Sequence, residues 1–217
     1  MPARTTPLVN NQIYHIYNRG VEKRKIFEDR RGFKRFLQTI NYYQYEGPKP
    51  KFSNYMKFKL FKPNSSKKVV GIISFCLMPN HFHILLRQVK DGGISEFVRK
   101  ISESYTKYYN IKYNRVGPLL QGQFKAVLIE NDEQLIHVSR YIHLNPISSF
   151  LVDDLKDYKW SSYLDYLSDS SSDLCIKEIV LNLFKSKEDY KQFVSDQIDY
   201  AQKLEVMKHQ LIDYNEI

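Results

Sequence analysis

The chain has 217 residues, of which 42% are hydrophobic and 14% aromatic, with a net charge of +9. That length supports a hydrophobic core without disulfides or structural metal. The two cysteines, Cys76 and Cys175, match neither a metal-ligand nor a redox spacing, which suits a reducing cytoplasm. No run approaches membrane-spanning length, and the opening MPARTTPLVNNQ lacks the apolar stretch of a targeting signal. A cytoplasmic protein with no membrane partner is the expectation.

The charge is unevenly divided. Residues 1–150 carry 25 basic and 10 acidic side chains, net +15, whereas residues 151–217 carry 8 and 14, net −6. The first part is suited to a polyanion and the last is not. With 17 tyrosines and 13 phenylalanines, the composition favours nucleic acid, single-stranded in particular, because unpaired bases stack on aromatic rings. We expect a domain over residues 1–150 and a mostly helical extension over residues 151–217.

In chain order, QIYHIYNRG (12–20) alternates and is β-branched and aromatic, which predicts a strand ending at the Gly20 turn. Phe33, Phe36, Leu37, Ile40 and Tyr43 recur at helical spacing. Residues 47–68 mix proline, lysine, serine and aromatics without clear period and read as a long excursion, with room for one short element and cations that suit a phosphate backbone. KVVGIISFCLMP and HFHILLRQ, joined by the PN turn, predict an antiparallel hairpin.

Next, GISEFVRKISESYTKYYNIKYN predicts a helix with Ile94, Phe97, Val98, Ile101, Tyr105 and Tyr108 inward. FKAVLIE predicts a fourth strand. NDEQLIHVSRYIHLNP opens with a helix N-cap at Asn131 or Asp132 and should stop near Pro146. Strand–helix–strand–strand–helix–strand–helix describes an α+β fold, a ferredoxin-like or RRM-like antiparallel sheet sandwich with an added helix. In the extension, DYKWSSYLDYL, a loop SDSSSD and two helices (174–184 and 187–211) are expected, with Trp160 anchoring the extension on the domain.

Within LMPNHFHILL, His81 and His83 interrupt an apolar strand. Strand residues i and i+2 share a face, so the two imidazoles project side by side while Phe82 points away. They suit either one divalent cation with open positions for substrate or a hydrogen-bonded pair at a strand end. In RYIHLNP, Tyr141 and Asn145 stand four apart on one helical face. An amide oxygen can ligate a hard cation and a phenol can act as nucleophile. Ordinary packing is the plain alternative for Tyr141, and Pro146 biases Asn145 away from helical geometry.

YHIYNRG, MPNHFHILL, GQFKAVLIE, RYIHLNPI and DYKWSSY occur in an order and at intervals that resemble the IS200-like (Y1) tyrosine transposases, over roughly residues 10–165. The resemblance is strongest to the branch associated with repetitive extragenic palindromes. It implies the nuclease fold of the HUH superfamily, named for histidine, a bulky hydrophobic residue and histidine, which His81, Phe82 and His83 match.

It further implies Tyr141 as the catalytic residue, Asn145 completing a Mg²⁺ or Mn²⁺ site with His81 and His83, and single-stranded DNA, with hairpin or palindromic structure, as partner. Strand nicking and transfer through a 5′-phosphotyrosine is the implied activity, by a monomer or a homodimer. His15 matches a family position and equally suits a structural place at the sheet edge; His143 points elsewhere on its helix and is a weaker candidate for the DNA or metal neighbourhood. Gln123 departs from the GRFK pattern of relatives, so a phosphate contact is either missing or supplied by Lys125.

Further candidates for DNA contact are Arg19, Lys23, Arg24 and Lys25 after the first strand, and Arg99, Lys100, Lys107 and Lys112 on the second long helix. Two other readings compete. A non-catalytic or domesticated single-stranded nucleic-acid-binding module would ignore metal and loss of Tyr141. An HUH replication initiator or relaxase would share the chemistry but usually carries helicase or primase regions.

Overall fold

The computed structural model describes residues 7–47, 50–58, 67–168 and 174–214, with side chains through residue 207. Lys49, Lys59 and Lys62 of the expected phosphate-binding excursion, and most of the SDSSSD loop, lie outside the described residues. Four strands form one antiparallel sheet: β1 (Ile13–Arg19), β2 (Val70–Met78), β3 (His81–Gln88) and β4 (Lys125–Ile129), in the order β2-β3-β1-β4. This is the expected ferredoxin-like arrangement, with β1 and β3 central.

Alternation along the strands separates two cores. Tyr14, Ile16, Phe82, Ile84 and Leu86 face α1 (Arg30–Tyr43) and α3 (Gly93–Lys112). Cys76, Met78, Leu85 and Ile129 face α4 (Asp132–Ser148) on the other side. β2 is buried along its whole length, as expected for a strand covered on both faces. A bulge between Ile72 and Ser74 shifts its register and turns Ile73 to the α4 side. The inward face of α3 is as expected except near its end, where Tyr109 is buried and Tyr108 only partly so. Among its described residues the excursion contains one short helix, α2 (Phe52–Phe58).

The fourth helix runs beyond the expected stop. Asn131 caps its start, its side chain accepting from Gln134 N at 2.8 Å, but α4 continues through Pro146 to Ser148. Proline removes one N–H and crowds the carbonyl four residues back. Burial of Ile142, Leu144 and Ile147 outweighs that local cost. The Asn145 side-chain Nδ2 also donates to Tyr141 O at 2.7 Å on the same turn, and Leu151 N reaches Pro146 O at 2.9 Å beyond the end. Asn145 is therefore helical and held on the Tyr141 side.

Residues after 150 pack on the same sheet. Trp160 stacks on Phe33 with centroids 4.8 Å apart and planes within 12°, the anchor anticipated for it. Trp160 O accepts from Leu77 N, Ser162 N donates to Phe75 O, and Ile176 N donates to Ile72 O. These bonds occupy the outer edge of β2, which otherwise would expose unpaired backbone groups. In place of two helices the segment forms α5 (Tyr163–Leu167), α6 (Glu178–Leu181), α7 (Lys187–Ser195) and α8 (Ile198–Tyr214). The single helix expected over 187–211 is interrupted between Ser195 and Ile198.

Candidate active site

Register across the sheet decides which groups meet. Tyr17 pairs with His83 and Arg19 with His81 on the β1–β3 ladder, while His15 pairs with Val127 and Tyr17 with Lys125 on the β1–β4 ladder. His15, Tyr17, Arg19, His81, His83, Lys125 and Val127 thus share the face covered in part by α4. His81 and His83 rings stand 4.9 Å apart at 88°. The Tyr141 ring meets His83 edge-on, with centroids 5.4 Å apart, and His15 at 6.0 Å. Tyr141 is 47% exposed above buried His15 and His83.

Burial sets the protonation state. It lowers the pKa of His15 to about 4. It pushes His83 well below the ordinary imidazole value, with His81 and His15 adding in the same direction. His81 is lowered chiefly by burial and secondarily by Arg19, against opposing contributions from Asn145 and Glu205. Neutral imidazoles are the metal-ligating form.

The donor set fits a divalent cation. His81 Nδ1 lies 2.6 Å from Asn80 Oδ1, and the Asn145 side chain lies close enough to the ring to favour its protonated form. With its Nδ2 spent on Tyr141 O, Asn145 presents its oxygen. A neutral His81 has one proton for two amide oxygens, and the acceptor left over is what a cation would complete. His83 Nδ1 lies 2.9 Å from His15 Nε2; when His83 donates, its Nε2 lone pair is free for metal. Among the described residues no three His, Cys, Asp or Glu side chains form a metal cluster; the amide of Asn145 is an oxygen donor beside His81.

Comparison with known proteins bears on the same stretch. Residues 50–145 match the model of the family described as "Transposase IS200 like". The match covers less than half of the chain, and over it the chain is similar to that family. Over 101 residues the chain is 24% identical to the "Putative REP-associated tyrosine transposase" of Haemophilus influenzae, covering 42% of this chain and 57% of that protein. The chain therefore spans little more than half of that relative. A solved REP-associated tyrosine transposase bound to a REP hairpin superposes with a TM-score of 0.56 at 12% identity, covering 78% of this chain and 87% of that one. That likeness establishes the fold.

The expected basic residues fall in three places. Arg19, whose Nε reaches Gln121 Oε1 at 2.5 Å, and exposed Lys125 stand on the histidine face. Lys23, Arg24 and Lys25 follow the end of β1, with Arg24 paired to Glu22 at 2.9 Å. Gly20 permits that corner, because a Cβ there would lie 2.2 Å from Arg24 O. Arg99, Lys100, Lys107 and Lys112 lie on α3, behind the sheet from Tyr141.

Two expectations change. His15 sits on a central strand and bonds His83, so it does not occupy the sheet edge. His143 is fully buried between Tyr190 Oη (2.7 Å from Nδ1) and Ser162 Oγ (2.8 Å from Nε2), away from the site. Asn80 is bonded to His81, and its signal in the sequence is its place in the turn before the strand. No described helix is long and apolar enough to cross a membrane.

Proposed function

We propose that this chain is a tyrosine transposase of the HUH type, which nicks and rejoins single-stranded DNA of hairpin or palindromic structure. The observation that carries the reading is the convergence of Tyr141 and Asn145, one turn apart on α4, on His81 and His83 of β3. The polyanion partner agrees with the net +15 of residues 1–150.

Tyr141 Oη attacks the scissile phosphorus, forming a P–O bond to the enzyme as the bond to the 3′ oxygen breaks. The phenolic proton is lost and the leaving 3′ oxygen gains one, giving a free 3′-OH and a 5′-phosphotyrosine. The phosphodiester count is unchanged, so another 3′-OH can reverse the step and join strands without a nucleotide cofactor. His81, His83 and Asn145 would hold Mg²⁺ or Mn²⁺, which supplies charge stabilisation at the phosphate when bound. His15 and Asn80 hold the two imidazoles in one tautomer and orientation.

The test is incubation with labelled single-stranded hairpin oligonucleotides and Mn²⁺, resolved on a denaturing gel. A metal-dependent protein–DNA adduct that disappears in Tyr141→Phe is expected. Tight binding without adduct across a broad oligonucleotide set would identify a non-catalytic binding module instead.

A further inference from the structure

Two clefts flank α3 on the side of the sheet away from Tyr141, and neither contains a residue of the candidate active site. The larger, about 1060 Å³, runs from Asn18 and Gln123 along α3 over an apolar floor that includes Val98, Leu119 and Phe124. The second, about 460 Å³, lies between α1, α2 and α3. Glu103, Lys107 and Ile111 line both, so the clefts adjoin across one ridge.

The charge lining this path is one-sided. Seven cationic side chains border the two clefts and Glu103 is the only carboxylate. Glu103 is already bonded to Arg99 at 3.0 Å. Lys100 and Lys112 are satisfied by Glu96 and Asp29, each at 2.6 Å, but Arg35, Lys51 and Lys107 have no ion-pair partner among the described residues. The Arg35 Nε is buried without a hydrogen bond. Its guanidinium lies 4.3 Å from the Phe52 ring centroid and 5.3 Å from that of Tyr108. Unmatched cations beside Tyr43 and Tyr108 suit alternating phosphates and unpaired bases; rings inside a concave cleft cannot stack on bases that are already paired.

We propose that the two clefts form one track for the single DNA strand beyond the scissile phosphate, with Lys107 at the junction and the Arg35–Tyr108–Tyr43 cleft taking a base. The entrance is fixed by the sheet. Asn18 and Gln123 open the first cleft, and Arg19, next to Asn18, pairs with His81 across the ladder. A strand leaving the histidines passes Arg19, turns round the end of the sheet and continues along α3. The identity of the strand as DNA rests on the proposed function; the track itself rests on the clefts.

The test is fluorescence anisotropy of the full chain without metal, using single-stranded oligonucleotides of 6 and 20 nucleotides across a salt series. Each lost phosphate contact lowers the salt slope of log K by about 0.7 for single strands. Lys51→Gln/Lys107→Gln should therefore lower the slope for the 20-mer by about 1.4, leave the 6-mer at the active site unchanged, and be unmatched by Lys185→Gln/Lys191→Gln. Tyr43→Leu should weaken the 20-mer by roughly tenfold without altering the slope. An unchanged slope in the first pair, or an equal loss in the control pair, overturns the track. So does a loss seen with RNA and not with DNA. Adduct on a short oligonucleotide with an unchanged slope refutes the track alone; a lowered slope with no adduct on any substrate refutes the catalytic reading alone.

Discussion

His15 Nε2 lies 2.9 Å from His83 Nδ1, joining two neutral imidazoles across neighbouring central strands. One proton serves the contact, and with it on His83 Nδ1 the Nε2 of His83, the proposed metal ligand, carries a lone pair aimed by the contact. Outer partners of this kind are worth about 10–100-fold in metal affinity. His15→Phe should lower Mn²⁺ affinity by about that factor in calorimetry or EPR titration, with single-stranded DNA binding in the absence of metal retained. An unchanged Mn²⁺ isotherm would remove His15 from the site.

Asn145 has two duties that substitution can separate. Its amide nitrogen steadies the Tyr141 turn and its oxygen faces His81. Asn145→Asp keeps an oxygen ligand and adds charge, so Mn²⁺ binding should persist or tighten. Asn145→Ala removes both contacts and should weaken Mn²⁺ binding about tenfold or more and adduct formation with it. If the alanine variant titrates like the parent, the third ligand lies elsewhere.

The extent to which this site was legible follows from which contacts are local. The shared face of His81 and His83 needs only the strand period, and the shared face of Tyr141 and Asn145 only the helical one. The place of His15 needed the β1–β3 register, a pairing between residues 68 apart that no local pattern encodes. The passage of α4 through Pro146 was hidden for the opposite reason. The local rule against proline was right in sign, and the burial of Leu144 and Ile147 that overrides it is tertiary. Likewise, His143 read as a neighbour of the site by sequence distance, while the tyrosine that buries it comes from α7.

Tyr190 ties the later helices to the helix that bears Tyr141. Ser162 Oγ accepts from Phe75 N at 2.9 Å and donates to Phe75 O at 3.2 Å, so His143 Nε2–H is the donor to Ser162. His143 Nδ1 then accepts from Tyr190, whose oxygen accepts from Ser139 at 2.9 Å. The chain of donors runs one way and every member is satisfied. Tyr190→Phe strands the Ser139 hydroxyl and His143 Nδ1 in the core, at a cost of roughly 1–3 kcal/mol per unsatisfied group. Urea unfolding should show a lowered midpoint at unchanged slope; an unaltered midpoint would show that water replaces the phenol.

The same histidine gives the stability a pH dependence of definite sign. Burial lowers the folded-state pKa of His143 to about 3, against roughly 6.5 in an unfolded chain. Between those values the unfolded state holds the extra proton, so stability is full above about pH 6.5 and falls as pH drops toward 3. His15, lowered to about 4, and His83, also depressed, act in the same direction. Paired carboxylates such as Asp29, Glu46 and Glu96 are themselves depressed and give way only at lower pH, so the window from pH 7 to 5 isolates the imidazoles. The thermal midpoint of the metal-free protein should decline steadily across that window, and His143→Gln should flatten part of the decline while lowering the midpoint at pH 7. A midpoint that holds level or rises from pH 7 to 5 would mean that these histidines are protonated in the folded state, which would also remove the neutral ligands on which the proposed metal site depends.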